Sequence, residues 1–272
     1  MKKTVRMLFI AFILFLIYAP IVILAVYSFT DATQIGAIRG FSLHNYVTLF
    51  TTPELTGMIL GTVVLALLSS VIATFLGTIG AIGAFYSKRR ASAAIEAMNQ
   101  IPVVNADVVT GFSLCILLVV VFGVSKDTYL PLLAGHVTLC APFVYLSVLP
   151  KLKQMNSATY EAALDLGATP AYALRKVVLP QIMPGVVTGF MLSVTLSLDD
   201  YFIATYTKPA TFNTISTYVV NATKGAQTTI KTALWALSAV IFAIVIIIVI
   251  VMNARAGRAA VKKEKEMRRA GV

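Results

Sequence analysis

Three carboxylates interrupt otherwise apolar stretches of this 272-residue chain: Asp107, and the adjacent pair Asp199 and Asp200. An acid at the bilayer midplane costs about 2.5–3.5 kcal/mol on insertion scales, so acids in such positions mark water-filled paths or polar helix contacts. Asp199 falls about 24 Å along a helix that starts near Met183, toward the far side of a hydrocarbon core about 30 Å thick. Neighbouring helical residues point about 100° apart. One acid of the pair can therefore face a cation path while the other caps a helix end or bonds to a neighbouring span. Tyr201, beside the pair, offers a ring face to a cation. Asp107 sits at the start of another apolar block and reads as a snorkelling or hydrogen-bonded residue, with a place on the same path as the alternative. His136 reads as a packing residue with a hydrogen bond rather than a ligand.

Other chemistry is missing from the sequence. Cys115 and Cys140 lie inside apolar blocks, too few for a disulfide framework and outside any C-x-x-C pattern, so no metal site is expected. There is no H-E-x-x-H and no G-x-x-x-x-G-K-[ST], so neither zinc-dependent hydrolysis nor ATP binding by a P-loop is expected of this chain. Gly77, Gly80 and Gly83 follow no strand pattern and read as a helix-packing face, not a dinucleotide fingerprint.

The elements that must hold these residues are membrane helices. The chain is 58% hydrophobic and 12% charged, with a mean hydropathy of +0.88, whereas soluble domains carry about 25% charged residues. Six blocks are long enough to cross a bilayer: Met7–Phe29, Gly57–Tyr86, Val103–Val124, Tyr129–Leu149, Met183–Tyr206 and Ala233–Met252. Lys2, Lys3 and Arg6 before the first imitate a secretory leader. Its apolar stretch is too long and no small-x-small site follows, so it reads as an uncleaved span. Of the 22 Lys and Arg, 17 fall in the two termini and in segments 87–102 and 150–182, which places both termini on the cytoplasmic side. The net charge of +11 is thus a topology signal with attraction to anionic headgroups; no nucleic-acid partner is expected. Segment 87–102 reads as a short cytoplasmic hairpin loop and 150–182 as a long cytoplasmic one, and long structured loops are usually functional.

That long loop has a local grammar. Ser157 to Leu166 suits a short helix, Gly167 a left-handed stop, and Thr169-Pro170 an N-cap and first-turn restart. Pro180 and Pro184 are expected to close the second helix before the fifth span. Ala162 and Ala163 keep one face flat for close approach. A helix pair lying on the membrane surface with no partner would give the same pattern.

The residues Glu161-Ala162-Ala163, Gly167, Val177 and Leu179-Pro180 resemble the EAA loop of ABC importer permeases, with Val177 in place of an isoleucine. The resemblance implies an all-α, six-span type I ABC importer (MetI-like) permease with both termini cytoplasmic. The whole chain, 1–272, would be one transmembrane domain, with a first extra span at 7–29, the permease core at 57–252 and the coupling loop at 157–180. It further implies that Glu161 makes a charged contact with a cytoplasmic ATPase, that Ala162 and Ala163 allow its close approach, and that Gly167 permits the turn. ATP and magnesium would be bound by that partner, with no cofactor in this chain. An ion-driven secondary transporter would explain intramembrane acids but leaves this loop unexplained.

Two further stretches, Ser197-Leu198-Asp199-Asp200-Tyr201 with Tyr218, and His136-x-x-x-Cys140-x-Pro142, are similar to the permeases of spermidine/putrescine importers. Family members often carry proline before the acid of the third span; here Ala106 stands there. The resemblance implies polyamine cargo and four kinds of partner. They are a second homologous permease (PotB-like), two ATPase subunits (PotA-like), an extracytoplasmic binding protein (PotD-like) and the lipid bilayer of a bacterial cell membrane. Permeases for ferric iron, thiosulfate and opines share much of this frame, so such a solute is the alternative cargo.

Overall fold

Long apolar runs with few breakers can satisfy their backbone in a bilayer only as helices. The computed structural model describes residues 3–32, 40–224, 233–243 and 246, and helices dominate it. The one β contact among the described residues is an antiparallel bridge, Thr30 to Phe41. The chain divides into two compact units, Met1–Thr56 with Asn221–Val272, and Gly57–Val220.

In the first unit, α1 (Lys3–Ser28) is apolar on all sides and largely exposed until Ser28, which is buried at its end. Its end is tied to α2 (His44–Thr51) by the buried Asn45 amide, which donates to the carbonyls of Ser28 and Thr30 at 3.2 and 3.0 Å. Tyr27 meets Trp235 edge-on, with ring centroids 5.5 Å apart. The expected sixth span is described only at its start, as a helix over Ala233–Ala243; its remainder up to Met252 lies outside the described residues save Ile246.

The second unit begins within α3 (Pro53–Tyr86), 34 residues long. At 1.5 Å per residue α3 is about 51 Å in length, well beyond the hydrocarbon thickness. Segment 87–102 is not a short loop, as expected, but most of a helix, α4 (Arg89–Val104). Its composition is too polar to register as a span, yet it runs along α6 (Leu130–Gln154), with Asn99 Nδ2 donating to the Pro142 carbonyl at 3.4 Å. Asn105 and Ala106 then turn extended, and α5 (Asp107–Cys115, continued by a wider π-helical turn over Ile116–Val121) leaves at 105° to α4. The unbroken third span expected over Val103–Val124 is thereby corrected to a broken pair. The bend falls at Ala106 even without a proline there.

After α6 come α7 (Ser157–Asp165) and α8 (Pro170–Ala173), then a π-helical turn, Leu174–Val178, leading without a break into α9 (Leu179–Asp199). Pro180 and Pro184 do not close the helix. The Leu179 N–H reaches back five residues to the Leu174 carbonyl, and a widened turn of this kind absorbs the hydrogen bond that a proline cannot donate. The fifth span therefore continues the loop's second helix over Pro170–Asp199. It also ends earlier than Tyr206: Asp200 is extended, and a separate short helix, α10 (Phe202–Thr207), follows before α11 (Ile215–Lys224).

Helices α6 and α9 pack without room for a methyl group. A Cβ on Gly185 would stand 2.8 Å from the Ser147 carbonyl oxygen, and one on Gly189 3.0 Å from the Val144 Cα. Cys140 Sγ, unoxidised, adds a 3.4 Å bond to the Ser193 carbonyl. Gly77 brings α3 against Ala141 and Val144 in the same way, while Gly83 faces open space and Gly80 makes only ordinary contact. The expected three-glycine face thus reduces to Gly77. Val144, Tyr145, Val148, Leu152, Val178 and Ile182 form the core beneath. Among the described residues, four helices are long and apolar enough to cross a membrane, or five if the bent pair counts as one span.

Candidate functional site

Two groups of residues stand at opposite ends of the α6–α9 hairpin. At one end is the turn carrying the EAA residues. Asn156 opens α7 by accepting the Ala158 N–H at 3.0 Å. The helix closes with two bonds, Gly167 N–H to the Leu164 carbonyl at 2.9 Å and Ala168 N–H to the Ala163 carbonyl at 3.0 Å. Gly167 has φ +86°, the left-handed stop of a Schellman turn. Thr169 Oγ1 then caps α8 through the Tyr172 N–H, with Pro170 in its first turn. The result presents Glu161 and Ala162 to the outside, with Ala163, Val177 and Leu179 half-buried and Pro180 exposed. Leu166, which sequence reasoning passed over, is 89% exposed beside them. An apolar side chain left bare at a helix end, next to a glycine stop, was the available signal.

At the other end the three sequence-identified acids converge. Asp199 closes α9 and is exposed; Asp200 is buried, and its carboxylate accepts the N–H groups of Ile203 at 3.2 Å and Ala204 at 2.7 Å. Asp200 is thus the cap of α10, one of the two roles expected for the pair. Tyr201 is half-buried, its ring edge-on to Phe202 at 5.2 Å. Asp107 lies in the first turn of α5, exposed, and both it and Asp199 stand within electrostatic reach of Asp200. Sequence reasoning gave Asp107 a place on the same path only as the alternative, because it stands at the start of its apolar block; the structure runs α4 along α6 and brings Asp107 within reach of Asp200.

Helix α10 is seated by one side chain in two notches. A Cβ on Gly111 of α5 would stand 2.9 Å from the Ile203 Cα, and one on Gly135 of α6 2.6 Å from its Cγ2. Next to Gly135, His136 is fully buried, with Nδ1 2.9 Å from Ser197 Oγ and Nε2 3.8 Å from Asp200 Oδ2. Ser197 Oγ in turn lies 3.1 Å from Ser69 Oγ of α3. A polar thread therefore joins α3, α9, α6 and the cap of α10. Farther along α3, the hydroxyls of Ser70, Thr74 and Thr78 are buried with no hydrogen-bond partner, a row at four-residue spacing that could have been seen in the sequence.

The cations near this end are Lys126 and Lys208. Lys208 donates to the Phe212 carbonyl at 2.9 Å, and burial together with Lys126 pushes its ammonium below the usual lysine range. Among the described residues, no three His, Cys, Asp or Glu side chains are placed to hold a metal ion. The arrangement offers an acidic, partly aromatic surface at one end and the EAA turn at the other, with the closely packed α6–α9 hairpin between them.

Residues 73–260 match the family of binding-protein-dependent transport system inner membrane components. The spermidine/putrescine transport system permease protein PotC of Haemophilus influenzae is 32% identical over 212 residues, covering 78% of this chain and 82% of that protein. The putrescine transport system permease protein PotI of Escherichia coli is 33% identical over 195 residues, covering 70% and 69%. Among solved structures, a chain of a bacterial ABC transporter that imports the acidic polysaccharide alginate superposes with a TM-score of 0.72. It is 21% identical, covering 93% of this chain and 95% of that one, a likeness of fold.

Proposed function

The chain belongs to the family of binding-protein-dependent transport system inner membrane components, and we propose that its cargo is a polyamine, spermidine or putrescine. As a permease of that family it is a transport subunit, with ATP hydrolysed by a separate partner. The observation that carries the cargo is the 32–33% identity, over 70% or more of the chain, to permeases named for polyamines. The converging acids support it. A flexible polycation is drawn to Asp199 and Asp107 and can stack on Tyr201, whereas an anionic cargo would be repelled there.

In this reading six spans cross the bacterial cell membrane, with both termini and the 157–180 loop in the cytoplasm. A second, PotB-like permease lines the other half of the path. Two PotA-like ATPases hold ATP and magnesium and dock on the loops, where Glu161 supplies the charged contact, Ala162 and Ala163 the close approach, and Leu166 an apolar knob. Val177, Leu179 and Pro180 tie the loop to α9. A PotD-like binding protein delivers cargo from outside. ATP binding closes the ATPase pair, the loops move together, and the spans switch as rigid bodies between inward and outward states.

The test is uptake of labelled spermidine and putrescine in cells lacking this gene, with and without its restoration. Unlabelled polyamines, ferric iron and thiosulfate serve as competitors. Uptake that returns with the gene and is blocked by polyamines alone is expected. Restored transport blocked instead by iron or thiosulfate would move the cargo to that solute and leave the importer architecture in place.

A further inference from the structure

We propose that His136 is a positioning residue that holds Asp200 turned inward, so that Asp199 and Tyr201 are the groups left to face the cargo. The proposal rests on the polyamine-permease reading above. Two adjacent acids at a helix end are equivalent in sequence; in the fold the Ile203 and Ala204 N–H groups hold the Asp200 carboxylate, and His136 is the side chain that faces it from α6. The His136 ring is fully buried, fixed through Nδ1 to Ser197 at 2.9 Å. Its Nε2 has no hydrogen-bond partner and points across 3.8 Å to Asp200 Oδ2. That distance exceeds a hydrogen bond but leaves the nitrogen as a polar neighbour of the carboxylate, beside the Ile203 and Ala204 N–H groups that it accepts. A buried nitrogen left unmatched is uncommon in folded proteins and asks for an explanation. Here the explanation is the carboxylate it faces.

The same geometry ties the acid cluster to the EAA loop. His136 stands on α6 and Ser197 on α9, the two helices that flank the loop, and these are locked together at Gly185, Gly189 and the Cys140–Ser193 bond. Gln154, at the loop end of α6, is about 27 Å from His136 along the helix. A displacement of the loop therefore carries His136, Ser197 and Asp200 as one body, and the orientation of Asp200 is kept through the stroke.

The test uses the assembled importer. His136→Asn keeps a polar group at the Nδ1 position toward Ser197 and loses the one facing Asp200; His136→Gln reaches the Nε2 position. With Asn, maximal spermidine uptake is expected to fall at least tenfold, with KM within twofold and the ATPase still bound. With Gln, at least a third of the rate should return. Wild-type transport by the Asn variant, or equal loss of assembly in both variants, overturns the proposal. Asp200→Asn combined with His136→Asn should transport no worse than Asp200→Asn alone, because residues acting as a unit are not additive; additive losses overturn it.

A cargo-free readout separates this proposal from the polyamine reading. With Cys115 and Cys140 replaced by alanine, Asp199→Cys should be labelled by a charged thiosulfonate at least threefold more slowly when His136→Asn is added. An unchanged rate overturns the positioning role whatever the cargo. Absence of polyamine uptake by the wild type strikes only the cargo.

Discussion

His136 Nδ1 and Ser197 Oγ lie 2.9 Å apart in the buried seam between α6 and α9, joining the two helices that enter and leave the EAA loop. Ser69 extends the contact to α3 at 3.1 Å, and Asp200 completes it at the cap of α10. The acids and the docking turn are thus the two ends of one packed hairpin, and substitutions along it should separate according to which end they touch.

Glu161→Ala should abolish coupling and not folding. The side chain is exposed, and alanine is at least as good a helix former. Expected is a tenfold or greater loss of uptake, with the protein's amount in the membrane changed less than twofold. Membrane fractionation alongside uptake checks it; normal transport with the ATPase bound would remove Glu161 from the coupling role.

Gly167→Ala meets no steric obstruction, since nothing lies within 4 Å of the added Cβ, but it must adopt φ +86°. The strain is about 1–2 kcal/mol for an L-residue in the left-handed region, set against a turn closed by two hydrogen bonds. The loop should fray and ATPase co-purification should fall. Gly167→Asn, which tolerates that region better, should recover part of it.

Asp200→Ala and Asp199→Asn should differ in kind. The first leaves two α10 N–H groups without their cap, a loss of about 1–2 kcal/mol, and should lower the melting temperature of the purified complex. The second removes an exposed charge and should leave melting unchanged while reducing polyamine uptake. Equal effects on both measurements would contradict the division of roles between the acids.

Gly189→Leu should be among the most damaging changes in the chain. Already the first added carbon would stand 3.0 Å from the Val144 Cα backbone atom, and overpacking of this kind costs about 1–3 kcal/mol or more. Greatly reduced protein in the membrane is expected, whereas Gly83→Leu, at open space, should accumulate normally.

Much of this was legible along the chain. The apolar blocks located α1, α3, α6 and α9, because a spanning helix satisfies its own backbone and needs only length and hydrophobicity. The turn between α7 and α8 was legible down to single residues: the left-handed Gly167 and the Thr169-Pro170 restart act within four positions, so short-range sequence contains the instruction for it. Segment 87–102 misled because α4 is too polar to register as a span, and its packing on α6 through Asn99 has no local signature.

What the sequence by itself determined is the class of molecule, the long apolar helices α1, α3, α6 and α9, and the turn between α7 and α8. Each follows from hydropathy or from bonds between near neighbours. Only the tertiary structure decided that Asp107 joins Asp199 and Asp200, that the chain bends by 105° at Ala106, and that Asp200 turns inward while Asp199 does not. Those outcomes depend on groups far apart in the chain: Ile203 seated against Gly111 and Gly135, and His136 held by Ser197. Helical periodicity places adjacent acids on different faces, but which face is covered is set by the helix that packs there.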